Sequence, residues 1–287
     1  MGRGFSPDSS NPTDRRDAES ADAASMDPFL FQSNGFSMTR PADHFSPERA
    51  DAPEDPWAAI DRIYCISLAE REDRRKQAAR EFAAAGLADR VEYHIAPKHR
   101  NPEQGCYESH LACMGKGVEA GAERILVFED DIRFDRFRPE ILEQAMAFLD
   151  TEPDWHMLFL GCMVRRSRRT SHPGILRVRF RSLTHAYVIR RAFAAAQMEK
   201  PWHGVPFDDF IRDLRDDRSY AVHPAFAFQS DSRSDNDRYL PLDRFRRLCG
   251  GLRRLQKLDE FLHLHRPLLI AVHLAALLGA ALWLAVR

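Results

Sequence analysis

A chain of 287 residues suffices for one α/β domain of ordinary size with appendages and falls short of two full domains. Its 42 Lys and Arg offset 43 Asp and Glu to a formal net charge of −1, so no overall field recommends nucleic acid as a partner, and electrostatic recognition falls to local clusters. Five cysteines (Cys65, Cys106, Cys113, Cys162, Cys249), odd in number and without a CxxC pair, argue against a disulfide framework and a structural zinc site and fit a reducing compartment.

Residues 1–55 are rich in Ser, Asp, Pro, Arg and Ala, with scattered Phe29, Phe31 and Phe36. So little apolar surface cannot repay ordering, and the segment reads as a disordered extension. No apolar stretch of signal-peptide length follows Met1, so the globular part is expected to stay where it is made. Residues 62–68 (RIYCISL) form an apolar run of β-branched and aromatic character, a first strand. A helix over 72–85, rich in Ala, Arg, Glu and Gln, closes at Gly86, and 91–96 make a second strand. Strand, helix, strand at this spacing is a βαβ unit, which places ligands outside the carboxyl ends of its parallel strands. Arg71, Arg74 and Arg75 fall where that crevice opens. Guanidinium groups there either grip a diphosphate or belong to a helix terminus facing water.

A second unit starts at Gly105, with a helix over 108–120, a stop at Gly121 and a strand over 124–128 (RILVF) that runs into Glu129, Asp130 and Asp131. Three carboxylates at a buried strand's end repel one another unless a hard cation such as Mg²⁺ or Mn²⁺ gathers them. Such a cation would bridge the phosphates of a nucleotide-sugar and stabilise the leaving nucleotide. Turn formation and helix capping are the plainer explanation of the same triplet. Residues 155–160 (WHMLFL) predict a strand ending at Gly161, and 182–189 (SLTHAYVI) another, before an Ala-rich helix. The region 56–240 therefore reads as a mixed sheet flanked by helices. No GxGxxG, Walker loop, HExxH or GxSxG occurs, which removes the main support for dehydrogenase, P-loop, zincin and α/β-hydrolase readings.

Downstream, 241–266 is a basic juxtamembrane segment carrying Arg244, Arg246, Arg247, Arg253, Arg254, Lys257 and Arg266. Residues 267–286 are then almost uninterruptedly apolar, broken only by His273. About 20 residues at ~1.5 Å each span a hydrocarbon core of about 30 Å, so this is a transmembrane helix, and the basic collar predicts a cytoplasmic domain by the positive-inside rule. A buried helix is the alternative, but no polar stripe interrupts the apolar faces.

The segments IYCISLAEREDRR, GCYESH, ILVFEDDIRF, MLFLG, THAYVIRR, FDD and QSDSRSD, in this order and spacing over roughly residues 60 to 236, resemble the family 25 glycosyltransferases. That family includes lipooligosaccharide and procollagen galactosyltransferases. The resemblance implies a GT-A-like, Rossmann-type fold, a UDP-sugar donor with galactose the usual sugar, a divalent cation (Mn²⁺ ahead of Mg²⁺), and inverting transfer to an acceptor hydroxyl. Its donor-recognition segment looks like Ser67 with Arg71, Arg74 and Arg75. Ser67 stands where the family has Asn, and a hydroxyl loses the amide's paired donor and acceptor. The family's Ser-His pair matches Ser109 and His110, near the expected start of a helix, where they meet phosphates or merely cap it. Its acidic triplet matches Glu129, Asp130 and Asp131, with Asp131 the expected metal ligand and Glu129 or Asp130 assisting. Tyr187 and Gln229 fall at matching positions too.

Inverting transfer needs a carboxylate to take the acceptor's proton, and Asp208 and Asp209 are the candidates, with helix capping as the competing explanation. The apolar tail points to a lipid-linked or lipopolysaccharide-type glycan as acceptor, met at a membrane of bacterial inner-membrane type. Seven arginines between 165 and 181 either contact acceptor phosphates or anionic lipid, or form a mobile, solvated loop. Two other readings are a catalytically inactive, membrane-tethered glycan- or nucleotide-binding protein of the same fold, and a metal-dependent phosphohydrolase. The phosphohydrolase reading lacks the histidine-rich ligand set of many two-metal sites.

Overall fold

The computed structural model describes residues 55–230, 248 and 250–287. The expected disorder of the N-terminal extension, most of the QSDSRSD segment, and Arg244, Arg246 and Arg247 of the basic collar lie outside the described residues.

Strand β1 (Arg62–Leu68) leads to helix α1 (Glu72–Ala84), which ends beside Gly86 at φ 75° and gives way to β2 (Val91–Ala96). Helix α2 (Pro102–Glu119) starts six residues before its expected position. The Asn101 side chain accepts from the Glu103 and Gln104 amides and Pro102 sits in the first turn, an N-terminal signal that outweighs the helix-weakening Gly105. Ser109 therefore lies a full turn or more inside the helix and caps nothing. Strand β3 (Arg124–Glu129) runs into the acids, followed by β4 (Ile132–Phe134) and α3 (Pro139–Thr151).

Beyond these come β5 (Met157–Phe159), β6 (Met163–Arg169), β7 (Ile175–Ser182) and β8 (Ala186–Arg190). The single strand expected over 182–189 is the end of β7 and the start of β8, broken at Leu183, whose φ of 77° no regular strand accommodates. The arginine-rich stretch is not a loop: β6 and β7 pair antiparallel, which the hydrophobic pattern hides because most outward positions carry arginine. Helices α4 (Arg191–Met198) and α5 (Phe207–Asp213) and strands β9 (Ser219–Val222) and β10 (Ala227–Gln229) complete the domain.

Eight strands form one mixed sheet in the order β2-β1-β3-β8-β5-β9-β7-β6. The β2-β1-β3 flank is parallel, β8 is inserted antiparallel between β3 and β5, and β9 runs parallel to β5. Strand alternation sorts the core into two layers. Ile63, Cys65, Leu126, Phe128 and Val188 pack with Phe82 of α1 and Leu142 of α3 on one face. Tyr64, Ile125, Val127, Tyr187 and Ile189 pack with Met114 of α2, Ala194 of α4 and Phe207 of α5 on the other. A second small sheet pairs β10 with β4, Gln229 opposite Ile132, just past the acids. It is held close by Gly161, where an added Cβ would lie 1.8 Å from the Ala227 carbonyl oxygen.

Part of the basic segment is itself a helix, α6 (Leu252–Leu264). Its Asp259 accepts from the Val164 amide at 3.0 Å and its Gln256 donates to the Ala227 carbonyl at 3.0 Å, so it is docked on β6 and β10. Helix α7 (Arg266–Val286) follows, 21 residues long, apolar enough to cross a membrane and with none of its side chains buried.

Candidate active site

The carboxyl ends of β1 and β3 lie side by side, Ile66 in register with Glu129, so Ser67 and the acidic triplet share one end of the parallel flank. Ser67 is buried, and its hydroxyl donates to Asp130 Oδ2 at 2.6 Å. Arg74, from the first turn of α1, approaches Asp130 Oδ1 at 3.2 Å and Asp131 Oδ2 at 3.9 Å. Arg75 donates to Ser67 Oγ at 3.1 Å, to the Ala69 carbonyl at 2.9 Å and to the Leu68 carbonyl, bracing the turn after β1. The three arginines thus divide. Arg74 faces the acids, Arg75 staples the loop, and Arg71 forms an exposed pair with Asp73 at 3.0 Å.

The three acids divide as well. Asp130 is committed to Ser67 and Arg74. Asp131 Oδ1, though buried, has no hydrogen-bond partner among the described residues, while the Asp131 carbonyl accepts from the Ser230 amide at 2.7 Å. Glu129 Oε2 lies 3.4 Å from Gln229 Nε2, and Glu129 Oε1 is 3.7 Å from His110 Nε2. Burial, with the Asp208 and Asp130 charges adding to it, pushes the Glu129 carboxyl up to about 8. Burial and then the Glu129 charge push Asp131 up to about 8, and burial also raises Asp130 against the opposing pull of Ser67 and Arg74. Two carboxyls pushed up chiefly by burial, one with an orphaned oxygen, are chemically compatible with a hard cation, although no three ligand-type side chains already converge among the described residues. Glu129 and Asp131 fit the role of first ligands, and Asp130 does not.

Of the Ser-His pair, only the histidine faces the acids. Ser109 Oγ donates back to the Gly105 carbonyl at 2.7 Å within α2. His110 is fully buried, its ring 4.0 Å from that of Phe207 and nearly parallel, with Nδ1 3.0 Å from the Tyr187 hydroxyl. Burial pushes its imidazole down to about 3, so it is neutral at pH 7.

Asp208 and Asp209 open α5 and point to different partners. Asp208 Oδ2 accepts from the Leu183 amide at 2.8 Å, and Oδ1 from the Thr184 amide at 3.1 Å and hydroxyl at 2.5 Å. It thereby fixes the strained Leu183 break before β8, and its charge is felt at both Glu129 and His110. Asp209 instead pairs with Arg212 one turn on. No side chain of Asp208 or Asp209 forms a cap bond to its own helix. The Leu183-Thr184 amides carry no sequence signal for this role. Only the conflict between a polar Ser-Leu-Thr and an otherwise regular apolar strand hints at a break.

Residues 98–211 match the model of "Glycosyltransferase family 25 (LPS biosynthesis protein)", a span that takes in α2, the acids and Asp208. The chain is 27% identical over 200 residues to the human "Inactive glycosyltransferase 25 family member 3", covering 57% of this chain and 34% of that protein. To zebrafish (Danio rerio) "Procollagen galactosyltransferase 1" it is 24% identical over 209 residues, covering 60% of this chain and 33% of the relative. The chain thus matches about a third of the length of these relatives. Among solved structures, a glycosyltransferase involved in glycosylating the major capsid of PBCV-1 superimposes with a TM-score of 0.37 and 12% identity over 66% of this chain and 100% of that one.

Proposed function

We propose that this chain, whose residues 98–211 match the glycosyltransferase family 25 model, moves a hexose, galactose first among the candidates, from a UDP-sugar to a hydroxyl of a lipid-linked or lipopolysaccharide-type glycan, with inversion. The observation that carries this reading is the unequal treatment of the triplet: Asp130 is hydrogen-bonded by Ser67 and paired with Arg74, while burial pushes up the Glu129 and Asp131 carboxyls at the end of a central parallel strand. That arrangement, with an antiparallel β8 beside β3, supports a GT-A-like assignment.

Asp131 and Glu129 would hold a divalent cation, Mn²⁺ ahead of Mg²⁺, which when bound supplies charge neutralisation for a leaving diphosphate. Arg74, oriented by Asp130, offers its guanidinium toward the same place. Asp208 is the base this reading assigns. Its Oδ1 already takes two donors, whereas Oδ2 takes one and keeps a lone pair for the proton of the acceptor hydroxyl. The acceptor oxygen bonds to the anomeric carbon from the side opposite the breaking bond to UDP. Neutral His110, wedged between Phe207 and Tyr187, keeps this side of the site dry without adding positive charge.

Helix α7 as a membrane span, with the domain on the cytoplasmic side, would bring a cytosolic donor and a membrane-borne acceptor to one place. The test is calorimetric titration of detergent-purified full-length protein with UDP, with and without Mn²⁺, for wild type and Asp131→Ala. Metal-dependent UDP binding that the substitution removes supports the reading. Folded wild type that takes up neither UDP nor Mn²⁺ overturns it. UDP binding without any transfer across a panel of acceptors would favour an inactive binding protein, in line with the names of four mammalian relatives, two called inactive and two probable inactive.

A further inference from the structure

At the far edge of the sheet, away from the acids, β6 and β7 set like charges against each other. Arg166 lies directly opposite Arg179, and two positions along the same face Arg168 lies opposite Arg177. Directly opposed like charges destabilise a strand pair, so a sequence that places two such pairs in succession accepts a cost that water screens in part and a counter-charge relieves further. Arg177 is partly accommodated by the Tyr220 ring, 5.7 Å away. The Arg166 and Arg179 pair has no aromatic partner among the described residues, and its one counter-charge there is the exposed Asp217, 3.8 Å from Arg179. It opens instead into a cavity of about 410 Å³ that also receives Arg165 from β6, and Arg212 and Arg215 from the end of α5.

The cavity's charge balance is one-sided. Its lone carboxylate, Asp216, is turned to His156 Nδ1 at 2.8 Å, the Ser219 hydroxyl at 2.5 Å and the Arg218 amide at 3.2 Å. Arg212 is held by Asp209 and Asp213, and Arg179 is 3.8 Å from the exposed Asp217. Arg165, Arg166 and Arg215 form no ion pair among the described residues. Arg215 sits at φ 50°, a left-handed conformation uncommon for a side chain of its size, just past the end of α5.

Arg165 also lines a second hollow, bounded by His263 of α6 and by Arg266, Leu269, Ile270 and His273 of α7. The arginine cavity therefore adjoins the first turns of α7, the one helix long and apolar enough to cross a membrane among the described residues, and a span there would set these turns near lipid headgroups.

We propose that this cavity seats a phosphate group borne on a membrane-anchored molecule. Arg166, Arg179 and Arg215 would supply charge-assisted hydrogen bonds, and Arg165 would guide the group in from the bilayer side. That the molecule is the sugar acceptor rests on the transferase reading above; the phosphate site itself does not. Phosphate fits because planar guanidinium forks match its oxygens in pairs, and because a doubly charged group offsets two opposed arginines.

The test compares wild type, Arg166→Gln/Arg179→Gln and Arg215→Gln, each as full-length protein. Two probes are used: inorganic phosphate added to detergent-solubilised protein, and phosphatidic acid diluted into phosphatidylcholine nanodiscs. The expected result is saturable phosphatidic acid binding that weakens about a hundredfold in the double variant, each of the two lost charge-assisted contacts corresponding to roughly tenfold. Inorganic phosphate binding with the same dependence on the arginines places recognition in the phosphate alone. Phosphatidic acid binding without inorganic phosphate binding places it in the lipid headgroup at the bilayer. Wild type that binds neither probe overturns the proposal, as does a double variant that binds phosphatidic acid as wild type does. Metal-dependent UDP titration of the same samples separates the two readings: intact UDP binding with lost phosphate binding locates the defect in this cavity, and absent UDP binding with intact phosphate binding removes only the transferase.

Discussion

At the β2-β1-β3 flank, charge is matched group for group, whereas at the β7-β6 edge arginine faces arginine. Asp130 has Ser67 on one oxygen and Arg74 on the other, and Arg75 braces the turn that presents Ser67. What is least compensated there among the described residues is acidic: Glu129, and Asp131, which Arg74 approaches only to 3.9 Å. At the other edge the basic groups predominate: Arg165, Arg166 and Arg215 form no ion pair among the described residues, although the Asp213 charge is felt by Arg165 and Arg215. The fold thus leaves two complementary deficits at opposite ends of one sheet, one suited to a cation and one to an anion. The difference teaches that a charged motif reports a binding site through its unsatisfied members and reports scaffold through the rest.

The sharpest way to break this comparison is at α5, where adjacent acids serve the two regions. Asp208 belongs to the acidic end through Leu183 and Thr184, and Asp209 to the basic edge through Arg212. Asp208→Asn should lower kcat for transfer by about a thousandfold, the scale of lost general-base catalysis, while metal-dependent UDP affinity stays within a fewfold. Because a neutral amide is a poorer acceptor for three donors, urea unfolding should show a loss of about 2 kcal/mol. Asp209→Asn should leave kcat close to wild type, since the Arg212 pair is partly exposed and weak. Equal losses in both variants would mean that the effect comes from disturbing the start of α5 and not from a base at Asp208.

Much of the acidic end was legible in the sequence because its elements follow local rules. β1 and β2 were bounded by their hydrophobic runs, α1 by its terminal Gly86, and the acids by an apolar strand that stops at charge. The pairing of Ser67 with Asp130 was not legible, because it joins residues 63 positions apart through strand register. The arginine hairpin was illegible for a different reason. β6 is an edge strand with one flank exposed, so periodicity left only Val164 as a buried apolar marker, and arginines that read as solvated loop are in fact a ladder. The start of α2 is set by the Asn101-Pro102 cap and not by Gly105, which puts Ser109 in the helix interior and not near its expected start.

A smaller effect follows from the crowding of Glu129 and Asp131, both pushed up to about 8. In the unfolded chain these groups ionise near pH 4, so between about pH 4 and about pH 8 they are neutral when folded and charged when unfolded. The folded state binds more protons across that window, and stability from these groups therefore falls as pH rises through it, then levels off above about pH 8. Thermal melts of metal-free protein should show this decline, and Mn²⁺ should raise Tm by more at pH 8 than at pH 5, because the ion must displace protons at the lower pH. An Mn²⁺ effect independent of pH would separate the cation from these two carboxyls.

The smallest expected effect isolates the matched half of the triplet. Ser67→Ala removes the hydroxyl that donates to Asp130 and accepts from Arg75, while Arg75 keeps its contacts to the Leu68 and Ala69 carbonyls and Arg74 stays within 3.2 Å of Asp130. One buried hydrogen bond to a charged group is then lost with its acceptor still paired, so the cost should be about 1–2 kcal/mol in urea unfolding. The fold should survive, and UDP affinity should weaken only as far as Arg74 loses its alignment. If unfolding is unchanged but UDP binding collapses, Ser67 contacts the donor itself and Asp130 is neutralised by Arg74 alone. If both change in proportion, Ser67 acts through Asp130, and the matched charges at this end are scaffold for the unmatched pair beside them.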